Sequence, residues 1–260
     1  MGAEPSTQYP PGAITTVTHD GARDALAVEE PLEIRVEQEP VAVTMRTPGN
    51  DEELALGFLY GEALIDAPRA AGLTEDLAAN TIVVDGPLQR ELPARRFYTS
   101  SSCGVCGKGA LEEVAVHAAP LAPGWGGVAL TRELLAGLPE HLDQPGFART
   151  GGLHATGLFN AQAELICARE DVGRHNAMDK VIGWALTRRD LPLSDKLLCV
   201  SGRLSFELVQ KALRAGAPVL VGVGAPTSLA VSLAREYGLT LCGFARGGRV
   251  NVYSGEDRLS

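Results

Sequence analysis

The sequence has few cysteines and an excess of acidic over basic residues. Its 260 residues include five cysteines, and 23 lysines and arginines stand against 32 aspartates and glutamates, which gives a formal net charge of −9. A chain with this acidic balance is not drawn to nucleic acid or to an anionic membrane surface. An odd number of cysteines also disfavours a disulfide framework. We therefore expect a protein that binds no nucleic acid and contains no disulfide scaffold.

Targeting and membrane-spanning patterns are missing as well. No continuous apolar stretch precedes Arg23, the first arginine, whereas a secretory signal places a basic region before an apolar one. Residues 215–234 carry no charge, but five glycines and prolines interrupt them, and the pattern is that of a buried strand followed by a helix. We therefore expect a cytoplasmic protein without a membrane span.

Composition divides the chain near residue 128. Residues 119–127 consist mainly of proline, glycine and alanine, which is typical of a linker. Residues 1–128 carry 8 basic and 19 acidic side chains, whereas residues 129–260 carry 15 and 13. The sequence thus predicts an N-terminal domain at 13–128 and a C-terminal domain at 129–260, and an anionic ligand fits the second domain better.

The pattern of apolar residues predicts an α/β protein with an α+β N-terminal part. The N-terminal half shows short alternating segments and one helix that begins near Asp51. In the C-terminal half strands alternate with helices, which predicts parallel strands joined by helical crossovers. Strands are predicted at 14–18, 32–37, 41–45, 81–84, 96–98, 157–160, 164–169, 196–200, 218–223 and 239–244. Helices are predicted from near Thr131 and His175 and over 205–214 and 227–237.

Several apolar residues need only a packing role. Cys167, Cys199 and Cys242 lie in strand-like segments, where cysteine usually fills core space. The helix near His175 carries a stripe at the spacing of one buried face, formed by Met178, Val181, Ile182, Ala185 and Leu186. We expect all eight side chains to be buried.

Two cysteines three positions apart form the sharpest motif. Cys103 and Cys106 are flanked by glycines, which leave both sulfurs accessible on a loop, and Lys108 would favour the thiolate form. The same spacing occurs in zinc knuckles, but no second pair is present, and His117 and His154 would have to complete the site. The motif favours reactive thiols and leaves a zinc site open as the alternative.

A second cluster lies where a strand gives way to a helix, at residues 169–180. Ligands of open α/β sheets bind at such junctions. The cluster is equally typical of a solvated, salt-bridged helix start, so both roles stay open for its titratable residues. These are Asp171, His175, Asp179 and Lys180.

A third motif places two arginines around paired glycines at residues 244–249. Arginine forks together with backbone amides bind phosphate, although a basic surface turn has the same composition. Two further strand-to-helix turns, at 201–203 and 222–228, belong to the same predicted sheet edge, and neither has the Gly-Lys-Ser/Thr of a P-loop. Together these segments predict a nucleotide-like or pyrophosphate ligand.

In combination, these motifs resemble those of the FdhD family of formate dehydrogenase accessory sulfurtransferases. The resemblance runs from about residue 13 to the C-terminus, and several long motifs in fixed order are more specific than a lone cysteine pair. The matching segments are residues 46–49, 102–107, 150–154, 170–176, 201–203 and 244–249.

The resemblance implies a function and its participants. Members of this family take sulfur from a cysteine desulfurase and pass it to the bis(molybdopterin guanine dinucleotide) molybdenum cofactor before that cofactor enters formate dehydrogenase. Cys103 corresponds to the residue that carries the persulfide, and Cys106 either resolves it, assists or has no role. The family resemblance also implies a homodimer. It places the guanine dinucleotide end, which a guanine nucleotide would mimic, at Phe244, Ala245, Arg246, Gly247, Gly248 and Arg249.

The family's second domain resembles the cytidine deaminase fold, a three-layer domain. Zinc deaminases carry His-x-Glu and Pro-Cys-x-x-Cys at two helix starts. The corresponding segments here are residues 175–177 and 201–205, which lack the glutamate and both cysteines. The resemblance therefore implies the fold without deaminase chemistry and without a metal. A zinc-binding scaffold and a nucleotide-binding chaperone that transfers no sulfur remain as rival functions.

Overall fold

The computed structural model describes residues 10–72, 80–90, 97–99, 118–123, 125 and 129–260. Within these residues the chain forms three β-sheets and six α-helices. The N-terminal elements are β1 (Ile14–His19), β2 (Ala22–Ala27), β3 (Glu30–Val36), β4 (Glu39–Arg46), α1 (Asp51–Gly61), β5 (Ala71–Gly72), β6 (Thr81–Val84) and β7 (Phe97–Thr99).

A five-stranded sheet forms the core of the N-terminal half. Its strand order is β5-β6-β3-β4-β7, with β3 and β4 antiparallel and β7 parallel to β4. Leu32, Ile34 and Val36 of β3 are buried, because alternate side chains of a strand point to the same face of the sheet. The predicted strands and the helix start at Asp51 are confirmed within two residues.

The β1–β2 hairpin forms a separate two-stranded sheet, and its second strand was missed in the sequence. Strand β2 is exposed along most of its length. Strand β1 is equally exposed but is rich in β-branched residues, whereas β2 has none, so neither alternation nor composition marks β2 as a strand.

A six-stranded sheet forms the C-terminal half. Its order is β13-β12-β11-β10-β8-β9, in which β10, β11 and β12 are parallel and the outer strands are antiparallel to their neighbours. The elements are α2 (Arg132–Gly137), a 3-10 helix (Leu138–His141), α3 (Pro145–Thr150), β8 (His154–Phe159), β9 (Leu165–Asp171), α4 (Arg174–Thr187), β10 (Leu197–Val200), α5 (Phe206–Arg214), β11 (Val219–Gly222), α6 (Ser228–Glu236), β12 (Thr240–Arg246) and β13 (Arg249–Ser254).

The prediction of alternating strands and helices is confirmed for this half, and the expectation of a parallel sheet is correct for the three central strands. The short helix α3 and the edge strand β13 were not predicted. Strand β13 follows β12 directly after the turn at Gly247 and Gly248, both of which have positive φ angles. A glycine pair between two strand-like segments is a hairpin signal that the sequence did contain.

Helices cover both faces of the six-stranded sheet. One core cluster joins alternate residues of the central strands to α4, α5 and α6, and it continues into α1 and the five-stranded sheet. A second cluster lies on the opposite face, against α2 and the 3-10 helix. The C-terminal half is thus a helix–sheet–helix sandwich, and its cysteines Cys167, Cys199 and Cys242 are buried as expected. The domain division at residue 128 and the closer likeness to a cytidine deaminase stay predictions.

The helix stripe predicted for α4 is buried completely, at Met178, Val181, Ile182, Ala185 and Leu186. No helix in the described ranges is long and apolar enough to cross a membrane.

The two halves meet where α1 crosses α4 at a pair of glycines. A Cβ atom on Gly57 would lie 1.9 Å from the Asp179 carbonyl oxygen, and one on Gly183 would lie 1.8 Å from the Glu53 carbonyl oxygen. The helix backbones therefore touch directly, and no side chain larger than hydrogen fits at either position.

We expect Gly183→Ala to lower the free energy of unfolding by about 3 kcal/mol, because the added methyl group must push the two helices apart. Urea denaturation followed by circular dichroism measures the change. Gly137→Ala is the matched control, since a Cβ at this helical glycine meets nothing within 4 Å. The control should be neutral or slightly stabilising. Equal effects of the two substitutions would show that the crossing is loosely packed.

Candidate functional site

The predicted sulfur loop falls outside the described residues. This applies to Cys103 and Cys106, and also to Lys108 and His117. The structure does give the strand that leads toward them. Strand β7 is parallel to β4, and its last residue, Thr99, pairs with Thr44. The chain therefore leaves β7 at the same end of the sheet at which β4 runs into the turn before α1.

Asp171, at the end of β9, is buried and fully partnered. Its Oδ2 accepts from the Thr47 amide at 3.1 Å and lies 2.8 Å from Lys180 Nζ. Its Oδ1 accepts from the Gly173 amide at 2.8 Å and from Asn176 Nδ2 at 3.0 Å. Four donors around one buried carboxylate leave no room for a ligand, so Asp171 has a structural role.

Lys180 and Asn176 extend the same network toward the N-terminal sheet. Lys180 Nζ donates to the Thr47 carbonyl oxygen at 2.9 Å. Asn176 Nδ2 donates to the Met45 carbonyl oxygen at 2.7 Å, and its Oδ1 accepts from Thr44 Oγ1 at 3.2 Å. The motif at residues 46–49 is thus bound to the motif at residues 170–176, and both position the start of α4.

A second buried ion pair joins α4 to α5. Lys211 Nζ donates to both oxygens of Asp179, at 2.8 and 3.0 Å, and both side chains are nearly inaccessible. Burial lowers the pKa of Lys211, but the Asp179, Glu207 and Glu62 carboxylates outweigh that effect and raise it above its ordinary value. Lys211 therefore stays charged, and Asp179 and Lys211 are parts of the scaffold.

His175 lies instead at the edge of the six-stranded sheet, in the first turn of α4. Its Nε2 is 3.1 Å from Ser205 Oγ, and its Nδ1 is 3.5 Å from Glu207 Oε2. Burial lowers the pKa of His175 to about 4, and the carboxylate of Glu207 opposes this only in part. The imidazole is therefore neutral at neutral pH.

His154, at the start of β8, lies at the same edge. A Cβ on Gly202 would be 3.3 Å from its Nδ1. Burial and the charges of Arg174 and Arg203 lower the pKa of His154. Two neutral histidines and two arginines thus lie near one another at the carboxyl end of β10. Ser205 ends the segment at residues 201–205 that the deaminase resemblance pairs with residues 175–177, but neither Ser205 nor Glu207 was assigned a role in the sequence.

Three loops are hydrogen-bonded to one another along this edge. The Gly224 amide donates to the Gly202 carbonyl oxygen at 3.0 Å, and the Phe244 amide donates to the Gly224 carbonyl oxygen at 3.2 Å. The prediction that the strand-to-helix turns share one sheet edge is therefore confirmed. Carboxyl ends of parallel strands are where open α/β sheets bind ligands.

The turn between β12 and β13 contains the predicted phosphate-binding residues. Arg246, Gly247, Gly248 and Arg249 are exposed, whereas the side chain of Ala245 is buried. Phe244 is exposed, with a positive φ of 55°, a conformation that is strained for a bulky residue. Both guanidinium groups and the glycine amides are thus open to an anion.

A cavity of about 400 Å³ lies between the turn after β4, the end of β9 and the start of α3. Thr47, Pro48, Leu153 and Glu170 are among its walls. The Glu170 carboxylate accepts from the amides of Gly146 and Phe147, at 2.6 and 2.7 Å, so it anchors the start of α3. Among the described residues, no three His, Cys, Asp or Glu side chains form a metal-binding group.

The buried neutral His175 predicts a loss of stability in mild acid. The unfolded chain binds a proton at this residue below pH 6.5, whereas the folded chain does so only below about pH 4. The unfolding free energy should therefore decrease as the pH falls from 6.5 to 4, and His175 should account for about 3 kcal/mol of that decrease. Urea titrations at several pH values should show a shallower decrease for His175→Gln. His141→Gln, at an exposed histidine, is the control, and an identical slope for all three proteins would contradict the assignment.

Comparison with known proteins gives consistent matches. A model of the FdhD/NarQ family matches residues 27–260. Proteins named sulfur carrier protein FdhD are similar along most of the chain. The one from Streptomyces coelicolor is 51% identical over 253 residues, which cover 91% of this chain and 89% of its own length. The one from Mycobacterium tuberculosis is 48% identical over 256 residues, with 91% and 92% covered. The one from Sulfolobus acidocaldarius is 43% identical over 240 residues, with 92% of each chain covered.

A solved structure agrees with these matches. The crystal structure of a formate dehydrogenase accessory protein from Desulfotalea psychrophila superimposes with a TM-score of 0.74 at 27% identity, over 95% of this chain and 98% of that chain. Motifs, fold and full-length similarity therefore agree, and the chain belongs to the FdhD/NarQ family.

Proposed function

We propose that the protein is a sulfur carrier required for formate dehydrogenase activity. The observation that carries the proposal is the match to proteins named sulfur carrier protein FdhD along about nine-tenths of the chain. The similar structure described as a formate dehydrogenase accessory protein supports formate dehydrogenase as the client enzyme. In this role the protein works in the cytoplasm as a homodimer and receives sulfur from a cysteine desulfurase.

Cys103 is the sulfur-carrying residue in this proposal. Its thiolate attacks the terminal sulfur of the persulfide on the desulfurase, the S–S bond of the donor breaks, and the donor cysteine leaves as a thiolate. Cys103 then holds the persulfide. When Cys106 acts as the resolving residue, its thiolate attacks Cys103 Sγ and releases hydrosulfide. The disulfide that remains needs a dithiol reductant in each cycle.

The bis(molybdopterin guanine dinucleotide) molybdenum cofactor is the bound substrate that receives the sulfur. Its phosphates suit the turn at residues 244–249, because guanidinium forks form charge-assisted, paired hydrogen bonds with phosphate oxygens. Arg246 and Arg249 are exposed on this turn, beside the glycines whose amides are open. The remaining carboxyl ends of the sheet provide a continuous edge for the rest of the molecule.

The position of β7 supports transfer between these two sites. Thr99 ends β7 beside Thr44, and Thr44 Oγ1 is hydrogen-bonded to Asn176 in the first turn of α4. Cys103 follows Thr99 by four residues, and four residues span at most about 14 Å. Thr99, four residues before Cys103 in the sequence, thus lies beside a residue that is hydrogen-bonded to the start of α4.

Sulfur loading is tested with a cysteine desulfurase and cysteine. Intact-mass measurement should show one added sulfur atom, and peptide mapping should place it on Cys103. Cys167 and Cys242 are internal controls, because burial raises the pKa of each thiol to about 12 and leaves it protonated. Cys103→Ala should abolish both loading and activation of formate dehydrogenase. Full activation by this variant would favour the rival function, a nucleotide-binding chaperone that transfers no sulfur.

The zinc-scaffold alternative has its own test. Metal analysis of the purified protein should find no stoichiometric zinc. Zinc that is bound in the native protein and lost in Cys103→Ala would show that Cys103 and Cys106 hold a metal, and it would overturn the persulfide proposal.

The phosphate-binding turn is tested with guanosine diphosphate, which carries the guanine and phosphate groups of the cofactor end. Arg246→Ala and Arg249→Ala should each weaken its binding by roughly 1.5–3 kcal/mol, the size of a lost hydrogen bond to a charged group. Isothermal titration calorimetry measures this change. Arg188→Ala is the control, since Arg188 stacks on Trp184 at the far end of α4. Unchanged affinity in both turn variants would exclude this turn as the binding site.

A further inference from the structure

The hydroxyl group at the start of α5 is used differently from those at two other helix starts. Thr131 precedes α2 and Thr227 precedes α6, and in each case the side-chain oxygen accepts from the amide three residues later, at 3.1 and 3.3 Å. Ser205 occupies the same position before α5, but its side chain makes no capping hydrogen bond. Its Oγ contacts His175 Nε2 instead, at 3.1 Å.

His175 is positioned to accept a proton from Ser205, because its Nε2 lies 3.1 Å from Ser205 Oγ. The ring is buried and neutral, for the reason given above, so one ring nitrogen carries a lone pair. Glu207 Oε2 lies 3.5 Å from Nδ1 without a hydrogen bond between them, and the negative charge at this position favours the tautomer with hydrogen on Nδ1. The lone pair of Nε2 then faces the hydroxyl of Ser205.

The fold holds the acid member of this group in place. Glu207 and Ser205 both lie at the start of α5, so their relative position is fixed by the helix. Lys211, one turn further along α5, lies 3.9 Å from Glu207 Oε1, and its own position is fixed by Asp179. The buried ion pair between α4 and α5 therefore also orients the carboxylate that faces His175.

The surroundings of Ser205 are open and positively charged. Ser205 is half-buried, His175 and Glu207 are buried behind it, and Arg203 is exposed in the same loop. Arg174 lies in the first turn of α4, and both arginines lower the pKa of His154 at this edge. Positive charge at this position favours a negatively charged substrate and stabilises an oxyanion.

We propose that Ser205, His175 and Glu207 form an activated serine site that cleaves carboxylic esters carrying a negative charge. Ser205 Oγ bonds to the carbonyl carbon while its proton moves to His175 Nε2. The C–O bond to the leaving group breaks, and the alcohol departs with that proton. Water then attacks the acyl-serine with His175 as base, which releases the acid and restores Ser205. Glu207 is the positioning residue. This activity uses none of the cysteines, although its site lies on the sheet edge that the proposed function assigns to the cofactor.

The first test is covalent labelling of the full-length protein with a fluorophosphonate, a probe that reacts with activated serines. Mass spectrometry should find one label per chain, located on Ser205. His175→Gln should slow labelling at least 100-fold, the lower range of general-base effects. Ser201→Ala is the matched control, because Ser201 lies in the same loop and its Oγ accepts from the Ala155 amide. It should label like the native protein.

Hydrolysis of two p-nitrophenyl esters tests the substrate class. The anionic glutarate ester should be cleaved faster than the neutral acetate ester, Ser205→Ala should abolish both reactions, and Arg203→Ala should remove the preference. Glu207→Gln tests the positioning role. Added imidazole should restore more activity to His175→Ala, which lacks the ring, than to Glu207→Gln, which keeps it. Unchanged urea midpoints in these variants establish that they fold.

Two results would overturn the proposal. One is labelling that is absent, or that is spread over several serines and insensitive to His175→Gln. The other is ester hydrolysis at the same rate in the native protein and in Ser205→Ala. Either result would show that the contact between Ser205 and His175 only joins two helix starts, whatever the outcome of the sulfur-loading experiment.

Discussion

The buried carboxylate of Asp171 is the contact on which the rest of the structure depends. It accepts three hydrogen bonds and forms an ion pair with Lys180, and one of the hydrogen bonds comes from the Thr47 amide in the other half of the chain. Lys180 neutralises its charge and reaches the Thr47 carbonyl oxygen as well. A buried charge is tolerated only when it is paired and hydrogen-bonded, so the turn after β4 and the turn before α4 must form together.

This coupling explains why the candidate sites lie where they do. The same turn that Asp171 anchors fixes the start of α4, and with it the position of His175. The glycine contact between α1 and α4 brings the five-stranded sheet close to α4. Strand β7 of that sheet ends at Thr99, beside Thr44 of β4. The segments at residues 46–49 and 170–176, far apart in sequence, thus meet where two helix backbones touch.

The elements of the fold could be predicted from sequence wherever burial of one face gives the apolar residues a regular spacing. The strand around Ile34 and the stripe on α4 are examples, since one buried face selects apolar residues at fixed spacing. The strand around Leu198 is buried on both faces and shows instead as a short apolar run. Strand β2 is mostly exposed, and its apolar residues show no such spacing. The roles of Asp171, Asp179 and Lys180 were equally undecidable in sequence, because a charged residue beside a helix start has the same appearance whether its partner is a ligand or a side chain elsewhere in the chain.

The sequence by itself determined the family, the cysteine pair, the arginine turn and the order of strands and helices, because each of these is a local pattern or a set of motifs in fixed order. Only the tertiary structure decided which polar residues are scaffold and which are available. Asp171 pairs with Lys180 and Asp179 pairs with Lys211 in the interior, whereas Ser205 and His175 meet at an open edge. Partners in such contacts come from different elements, and their distance depends on how whole helices pack.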